Sequence, residues 1–482
     1  MDQLFPIVAS ILYIIYVGSF VIALLLDNER DSTSTVSWLA IFLLLPILGP
    51  ILYLLIGRNW RKLYSDKTDK SINRAENTAG YRAAMSRQSV SKEMISKSTV
   101  AEKISKMLYF NSYSDVLGGN SVKAFHNGTD KFEALFRDFE NAKESIHIDY
   151  FIWRNDKLTQ KVKEVLIKKA KEGVEIRIII DSLGCLGLGK EYKKELRDAG
   201  IKIEEFFNIF KLKYILTLNH RSHRKSVIID GKIGYLGGIN MGQEYIDGGE
   251  RFETWRDTHV RVTGDSVLGL QKIFADAWKR VTKEDLFNDK YFPVQEQNGC
   301  DCPIQIATSG PDSDWRSIQE LYFSIINGAK ETLYVQSPYF IPDTSIHQAF
   351  MTAAMMGVDV RIMVAGVPDK KIPYWTAFTY FEDLIKAGVK IYHYNAGFIH
   401  TKMMVADSKM VTMGTANMDV RSFRLNYEVN MMIYGEDTAT EFHNVFMKDV
   451  TVCKEFTEED MEKFTLGKRI RNSFARLLSP LQ

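Results

Sequence analysis

HRKSVIID at 223–230 followed by GGIN at 237–240, and HTKMMVAD at 400–407 followed by GTAN at 414–417, are two copies of one pattern. In each, Lys follows the His by two residues, Asp by seven, Gly by fourteen and Asn by seventeen, and Met comes next (Met241, Met418). At ordinary residue frequencies such a match arises by chance less than about once in a million trials. The pattern reads as two halves of one site.

The repetition reaches beyond the motifs, which argues for duplication of a whole lobe. Ala142-Lys143-Glu144 before the apolar run Ile146–Phe151 matches Ala329-Lys330-Glu331 before Leu333–Tyr339. Gly173–Ile178 matches Gly357–Ile362, and Ala199–Ile203 matches Ala387–Ile391. Apolar strands alternate with charged amphipathic helices such as Leu158–Glu172 and Tyr192–Ala199. That alternation predicts an α/β fold of two sandwich lobes with buried strands. The expected organisation is a membrane hairpin over 1–60, a linker or surface helix over 61–110, a first lobe over 111–290, a connector over 291–302, and a second lobe over 303–482 with a basic amphipathic C-terminus.

The hairpin rests on two apolar runs. Leu4–Leu26 is 23 residues without a charge, and Trp38–Gly57 is 20 residues interrupted by Pro46, Gly49 and Pro50; the first is long enough to span a bilayer, while the second spans with a kink or re-enters. A cleaved signal peptide fits poorly, since Asp2 stands where a basic n-region belongs and no small-residue cleavage site follows. The loop at 27–31 is acidic, whereas Arg58, Arg61, Lys62, Lys67, Lys70 and Arg74 follow the second run. The positive-inside rule therefore predicts a multi-pass protein with its catalytic lobes on the cytoplasmic side.

The 482-residue chain is 45% hydrophobic, enough for large cores, and its net charge of +2 excludes nothing. Cys185, Cys300, Cys302 and Cys453 lack CxxC spacing and read as reduced thiols. Between Gly200 and His223 the first lobe carries eleven residues more than the second does between Gly388 and His400. This insertion includes Phe206, Phe207, Phe210 and Tyr214 beside Lys211 and Lys213, and either packs on the other lobe or dips into an anionic interface.

Ser226–Ile229 and Met403–Ala406 read as buried strands, so alternation puts each His and its Lys on one face. Two lobes meeting face to face would aim two imidazoles, two ammonium groups and two carboxamides at one pocket. Such a set suits a phosphodiester: Lys225, Lys402, Asn240 and Asn417 hold anionic oxygens, one His attacks phosphorus, and the other protonates the departing alcohol. Asp230 and Asp407, the last motif residues, open turns and are expected to fix local structure. His220-x-x-His223 offers two metal ligands, but Lys225 and Lys402 would set ammonium charge beside a cation, so no metal is expected; with no Walker-type loop, no cofactor is expected either.

The pattern resembles the HKD motif of the phospholipase D superfamily. With WRDTHVRVTG at 255–264, QSPYFIPD at 336–343, NMDVRSFRLNYEVN at 417–430 and ARLLSPLQ at the C-terminus, the chain resembles the bacterial cardiolipin synthases along its length. The resemblance implies phosphatidyl transfer between two phosphatidylglycerol molecules, giving cardiolipin and glycerol through a phosphatidyl-histidine, with the first-copy His223 as nucleophile and His400 as acid. It also implies that Asp257 and Glu428, each seven residues before Gly264 or Gly435, hydrogen-bond the catalytic histidines. Many superfamily members carry Ser where this chain has Gly238 and Thr415, which puts a hydroxyl role at 238 in doubt. The motif alone leaves open a hydrolase releasing phosphatidic acid, a transferase using another alcohol, a superfamily nuclease, and a binding protein with a decayed site. The membrane hairpin speaks against nucleic acid as a substrate, and the intact motifs speak against decay.

Overall fold

The computed structural model describes residues 4–26, 32–57, 74–96, 98–208, 219–296 and 302–479. The chain divides into a small unit, Met1–Ser65 with Phe207–His220, and a large one, Asp66–Phe206 with Arg221–Gln482.

In the small unit, helices run over Leu4–Leu25, Ser32–Leu44 and Leu48–Leu52, ending in a π-helical turn at Tyr53–Gly57. The break after Leu44 falls at Pro46, which cannot donate a helical hydrogen bond. Leu24, Phe42 and Tyr53 are buried together, with Phe20, Trp38 and Phe42 packed around the Tyr53 ring at centroid distances of 6.4, 5.3 and 5.5 Å. Ile14, Ile15, Ile22, Leu43, Leu44 and Ile47 face outward. Among the described residues no helix is long and apolar enough to cross a membrane; side chains at Leu4–Pro6, Ala9 and Ser10 lie outside the description, leaving Ile11–Leu25 as the longest continuous described stretch of the first helix. The acidic loop at 27–31, the basic residues at 58–73 and most of the apolar insertion at 206–216 also lie outside the described residues.

The large unit is built on one long sheet. In chain order the strands of the first lobe, of which β8 lies outside the long sheet, are β1 (Leu117–Phe125), β2 (Ser145–Tyr150), β3 (Glu175–Asp181), β4 (Lys202–Phe206), β5 (Arg221–Ser222), β6 (Lys225–Ile229), β7 (Ile233–Gly237), β8 (Trp255–Arg256) and β9 (His259–Thr263). Those of the second lobe, of which β12, β15 and β18 lie outside it, are β10 (Cys302–Ser309), β11 (Thr332–Gln336), β12 (Phe340–Ile341), β13 (Asp359–Ala365), β14 (Lys390–Tyr394), β15 (Phe398–Ile399), β16 (Met403–Ala406), β17 (Met410–Gly414), β18 (Met418–Asp419), β19 (Asn426–Ile433) and β20 (Cys453–Phe456). The first half runs β1-β9-β7-β6-β2-β3-β4 and the second β10-β19-β17-β16-β11-β13-β14, with β20 added at its edge. The duplication therefore extends to strand order. The halves join where β1 pairs antiparallel with β10, across a bulge between Leu117 and Asn120. The Asn120 amide donates to Leu117 O and Cys302 O, both at 2.7 Å, and holds that seam.

Helices cover the strands in both lobes. Gly128–Asn141 and Lys157–Lys171 start on side-chain caps from Asn127 and Asp156, and Thr344–Met355 on a cap from Asp343. Part of the stretch expected as a linker or surface helix is helical and packed. Ala79–Ser96 and Thr99–Ser112 are helices, and Ala101, Ile104 and Leu108, spaced as one helical stripe, enter the second lobe's core with Ile95.

Two short pairings cross between the lobes. β5 pairs in parallel with β19, matching Ser222 to Tyr427, and β15 pairs in parallel with β8, matching Ile399 to Arg256.

Candidate active site

Each motif His follows one of these cross-lobe strands. The His223 N–H donates to Tyr427 O at 2.9 Å, and the His400 N–H to Arg256 O at 2.7 Å. Tyr427 and Arg256 directly precede Glu428 and Asp257, so clipping each His to the opposite lobe sets it beside that lobe's acid. The side chains complete the exchange: His223 Nδ1 lies 2.9 Å from Glu428 Oε1 and 3.0 Å from Oε2, and His400 Nδ1 lies 2.7 Å from Asp257 Oδ2. Neither lobe holds a complete His–acid pair of its own.

A carboxylate on Nδ1 favours the proton there and leaves the Nε2 lone pair for the pocket. Burial lowers the His223 pKa well below its usual value, and the charges of Lys225, Lys402, Lys370 and Arg421 lower it further. Burial and Lys402 bring His400 down to about 4, against the opposing pull of Asp257. Both imidazoles are thus neutral at pH 7. Burial also brings Lys225 down to about 7 and Lys402 to about 8, with Glu428 and Asp257 holding both up. Lys225 Nζ donates to His223 O at 2.5 Å and Lys402 Nζ to His400 O. Both ammonium groups sit on backbone carbonyls that an incoming anion could replace.

The acids are held differently. Glu428 accepts from Thr415 Oγ1 at 2.6 Å and Asn426 Nδ2 at 3.1 Å, and burial raises its pKa to about 7. Asp257 accepts from the Thr258 N–H at 2.7 Å and packs on Gly238, where an added Cβ would lie 2.1 Å from Asp257 Oδ1. The missing hydroxyl at 238 has a steric reason: the carboxylate occupies that space.

Not every sequence candidate enters the pocket. Asp230 accepts from the backbone N–H groups of Lys143, Glu144 and Ser145 at 2.7 to 2.9 Å, and Asp407 from those of Lys330, Glu331 and Thr332 at 2.8 to 3.2 Å. Both adopt φ +53°, and through these bonds each pins the loop before β2 or β11 to the motif strand. Asn240 is oriented by two bonds, accepting from Ile152 N at 3.2 Å and donating one of its two amide N–H groups to Tyr245 OH at 2.9 Å. Asn417 is buried, with its Oδ1 unpaired.

Sequence reasoning missed the rings. Trp255, Phe398 and Tyr245 lie 5.5, 5.8 and 6.5 Å from the His400 ring, whereas Phe151 packs edge-on at 4.9 Å against His223. Trp255 stands two residues before Asp257 and Phe398 two before His400, so proximity to the motifs was the available signal. Among the described residues, no three of His, Cys, Asp and Glu converge as a metal site.

Two symmetry-related lobes that trade acids around paired His-x-Lys motifs define a protein of the phospholipase D superfamily. The family described as "Cardiolipin synthase, PLD-like domain" matches residues 135–261 and 322–450, and the chain belongs to that family. Residues 14–58 match a family described as "Phospholipase_D-nuclease N-terminal". The major cardiolipin synthase of Bacillus subtilis is 40% identical over 471 residues, covering 95% of this chain and 96% of that protein. A cardiolipin synthase of Staphylococcus aureus is 38% identical over 486 residues, covering 98% and 97%. The crystal structure of Haemophilus influenzae phosphatidylserine synthase shares the fold with TM-score 0.59, over 79% of this chain and 100% of that one, at 14% identity.

Proposed function

We propose that the protein joins two phosphatidylglycerol molecules into cardiolipin and glycerol, without a cofactor or metal, at an anionic membrane. The observation that carries this reading is the exchanged pair of His–carboxylate contacts, which supports one site shared by the two lobes, with Lys225 and Lys402 buried beside the imidazoles. A phosphodiester entering there replaces the His carbonyls as acceptor for Lys225 and Lys402 and, being anionic, raises the proton affinity of the nearby imidazoles.

His223, kept neutral by burial and by the surrounding cations, attacks phosphorus through Nε2. The P–N bond forms as the P–O bond to glycerol breaks, and His400, protonated once the anion is bound, gives its proton to the leaving oxygen. Neutral His400 then takes the proton from the terminal hydroxyl of a second phosphatidylglycerol. That oxygen attacks phosphorus, the P–N bond breaks, and His223 is regenerated. The Trp255, Phe398 and Tyr245 rings exclude water from the side where the alcohols exchange. The outward-facing apolar residues of the small unit support a hairpin over 4–26 and 38–57 that holds the catalytic lobes at the cytoplasmic face.

The test is purified protein in detergent with phosphatidylglycerol alone, followed by mass analysis of lipids and by trapping of phosphorylated peptides. Cardiolipin with stoichiometric glycerol, and label on the peptide containing His223, are expected. Phosphatidic acid as the main product would make the protein a hydrolase, and label on the His400 peptide would invert the two roles.

A further inference from the structure

The C-terminal helix Leu466–Arg476 is turned inside out. It packs on the second lobe through Asn472 and Ala475, which are buried, while Leu466, Ile470, Phe474 and Leu477 are 74%, 49%, 67% and 73% exposed. Their spacing of four, four and three puts them on one stripe, opposite the packed side. A helix that served only the body would bury that stripe. Cations border it: at roughly 100° per residue Arg469 and Arg476 fall on one flank and Arg471 on the other. The guanidiniums of Arg471 and Arg476 are seated 4.5 Å over Trp375 and 4.7 Å over Tyr380 of helix Lys371–Lys386, fixing how the helix is presented. No acidic residue occurs from Lys463 to Gln482.

An outward apolar stripe flanked by cations on a helix without acids matches the anionic interface of a bilayer, where the side chains enter the acyl boundary and the cations meet lipid phosphates. We infer that this helix docks the catalytic body onto an anionic lipid surface. The inference rests on the phospholipid reading of the active site and adds a second, electrostatic contact with the layer that holds the substrate.

The full chain in vesicles, with a photoreactive benzoylphenylalanine replacing Leu477, provides the test. Irradiation is expected to give lipid adducts in vesicles of phosphatidylglycerol with phosphatidylcholine, and several-fold fewer in phosphatidylcholine alone. Adducts to a second copy of the chain, absence of lipid adducts, or equal labelling in both vesicles would overturn it. Arg469→Glu, a charge reversal on the flank of the stripe, should lower turnover of bilayer phosphatidylglycerol about tenfold through lost attraction to the surface. Turnover of a short-chain phosphatidylglycerol dispersed below its micelle concentration should not change. Equal loss on both substrates would mean a structural role and would refute docking. If wild-type protein made no cardiolipin from either substrate, the functional reading would fail, while the crosslinking result would still stand for the helix.

Discussion

The two lobes share strand order, motif spacing and the device of lending an acid to the other lobe's histidine, yet they hold those acids by different means. The first lobe offers a short carboxylate, Asp257, against the bare backbone of Gly238. The second offers a longer one, Glu428, gripped by the Thr415 hydroxyl. Around the imidazoles the contrast runs the other way: among the described residues His400 sits by three rings, while His223 has one ring and the added charges of Lys370 and Arg421. Behind the acids, Lys131 and His259 are buried in the first lobe, and Asn430 occupies the position equivalent to His259 in the second. Duplication supplied a symmetric scaffold, and divergence around it made two chemically unequal halves.

The comparison breaks first at the histidines. His223→Ala and His400→Ala should each lower cardiolipin formation by at least about 10⁴-fold, because both bond exchanges need both groups. Circular dichroism and thermal unfolding should stay near wild type; loss of only tenfold in either variant would refute the two-histidine mechanism. Next come the acids. Asp257→Asn and Glu428→Gln keep size and remove the carboxylate, and each should cost about 10³-fold in kcat by disturbing the orientation and tautomer of the opposite lobe's His. If Asp257→Asn shifted the titration of the His223 ring in nuclear magnetic resonance spectra and left that of His400 unmoved, the exchange of acids between lobes would be wrong.

Much of this arrangement is legible in the chain, and what is not has a physical cause. Register and alternation are local, so the motif strands, the lobe duplication and the equivalence of Asp257 with Glu428 can be read from spacing. Which acid serves which His cannot, since it depends on β5 and β15, each two residues long and paired across lobes. The orientation of Asn240 by Ile152 and Tyr245 is a tertiary event that residue type conceals. The helices at 79–112 carry too many Ser, Lys and Arg to suggest burial, but one stripe of Ala101, Ile104 and Leu108 suffices. The outward stripe of the last helix is visible in sequence as amphipathicity, and only packing shows which side faces the protein.

The unequal acid supports sharpen the comparison at smaller scale. Gly238→Ala puts a methyl where the Asp257 carboxylate lies; a displacement of about 1 Å at His400 should cost about 10²-fold in kcat. The matching change in the second lobe, Thr415→Val, causes no collision; losing the hydrogen bond to Glu428 should cost about 1 to 1.5 kcal/mol or roughly tenfold in kcat, and orphaning the Val429 N–H, which donates to Thr415 Oγ1 at 3.0 Å, should lower stability. Thr415→Ser keeps the hydroxyl and should stay within about threefold of wild type. Gly238→Ala milder than Thr415→Val would show that the first lobe's acid is not held by close packing.

The smallest expected effect is in the pH dependence. The lysines lose their protons as pH rises, Lys225 through about 7 and Lys402 through about 8, because burial disfavours their charged forms. Since binding of the phosphodiester needs both ammonium groups, kcat/KM should fall as pH rises from 7 to 8, by several-fold but less than about tenfold. On the acid side Glu428, which burial raises to about 7, takes up a proton as the pH falls from 7 to 6, so a several-fold loss of kcat is expected there, while His400, depressed to about 4, adds nothing in that range. The bound anion stabilises both ammonium forms, so the alkaline limb of kcat should lie above that of kcat/KM. Lys225→Arg, charged throughout, should move the kcat/KM limb upward even where its absolute rate is lower. An alkaline limb unchanged in Lys225→Arg would assign it to Lys402 alone, and a limb that rises with pH would mean that the substrate meets neutral amines and that the lysines are not its anchors.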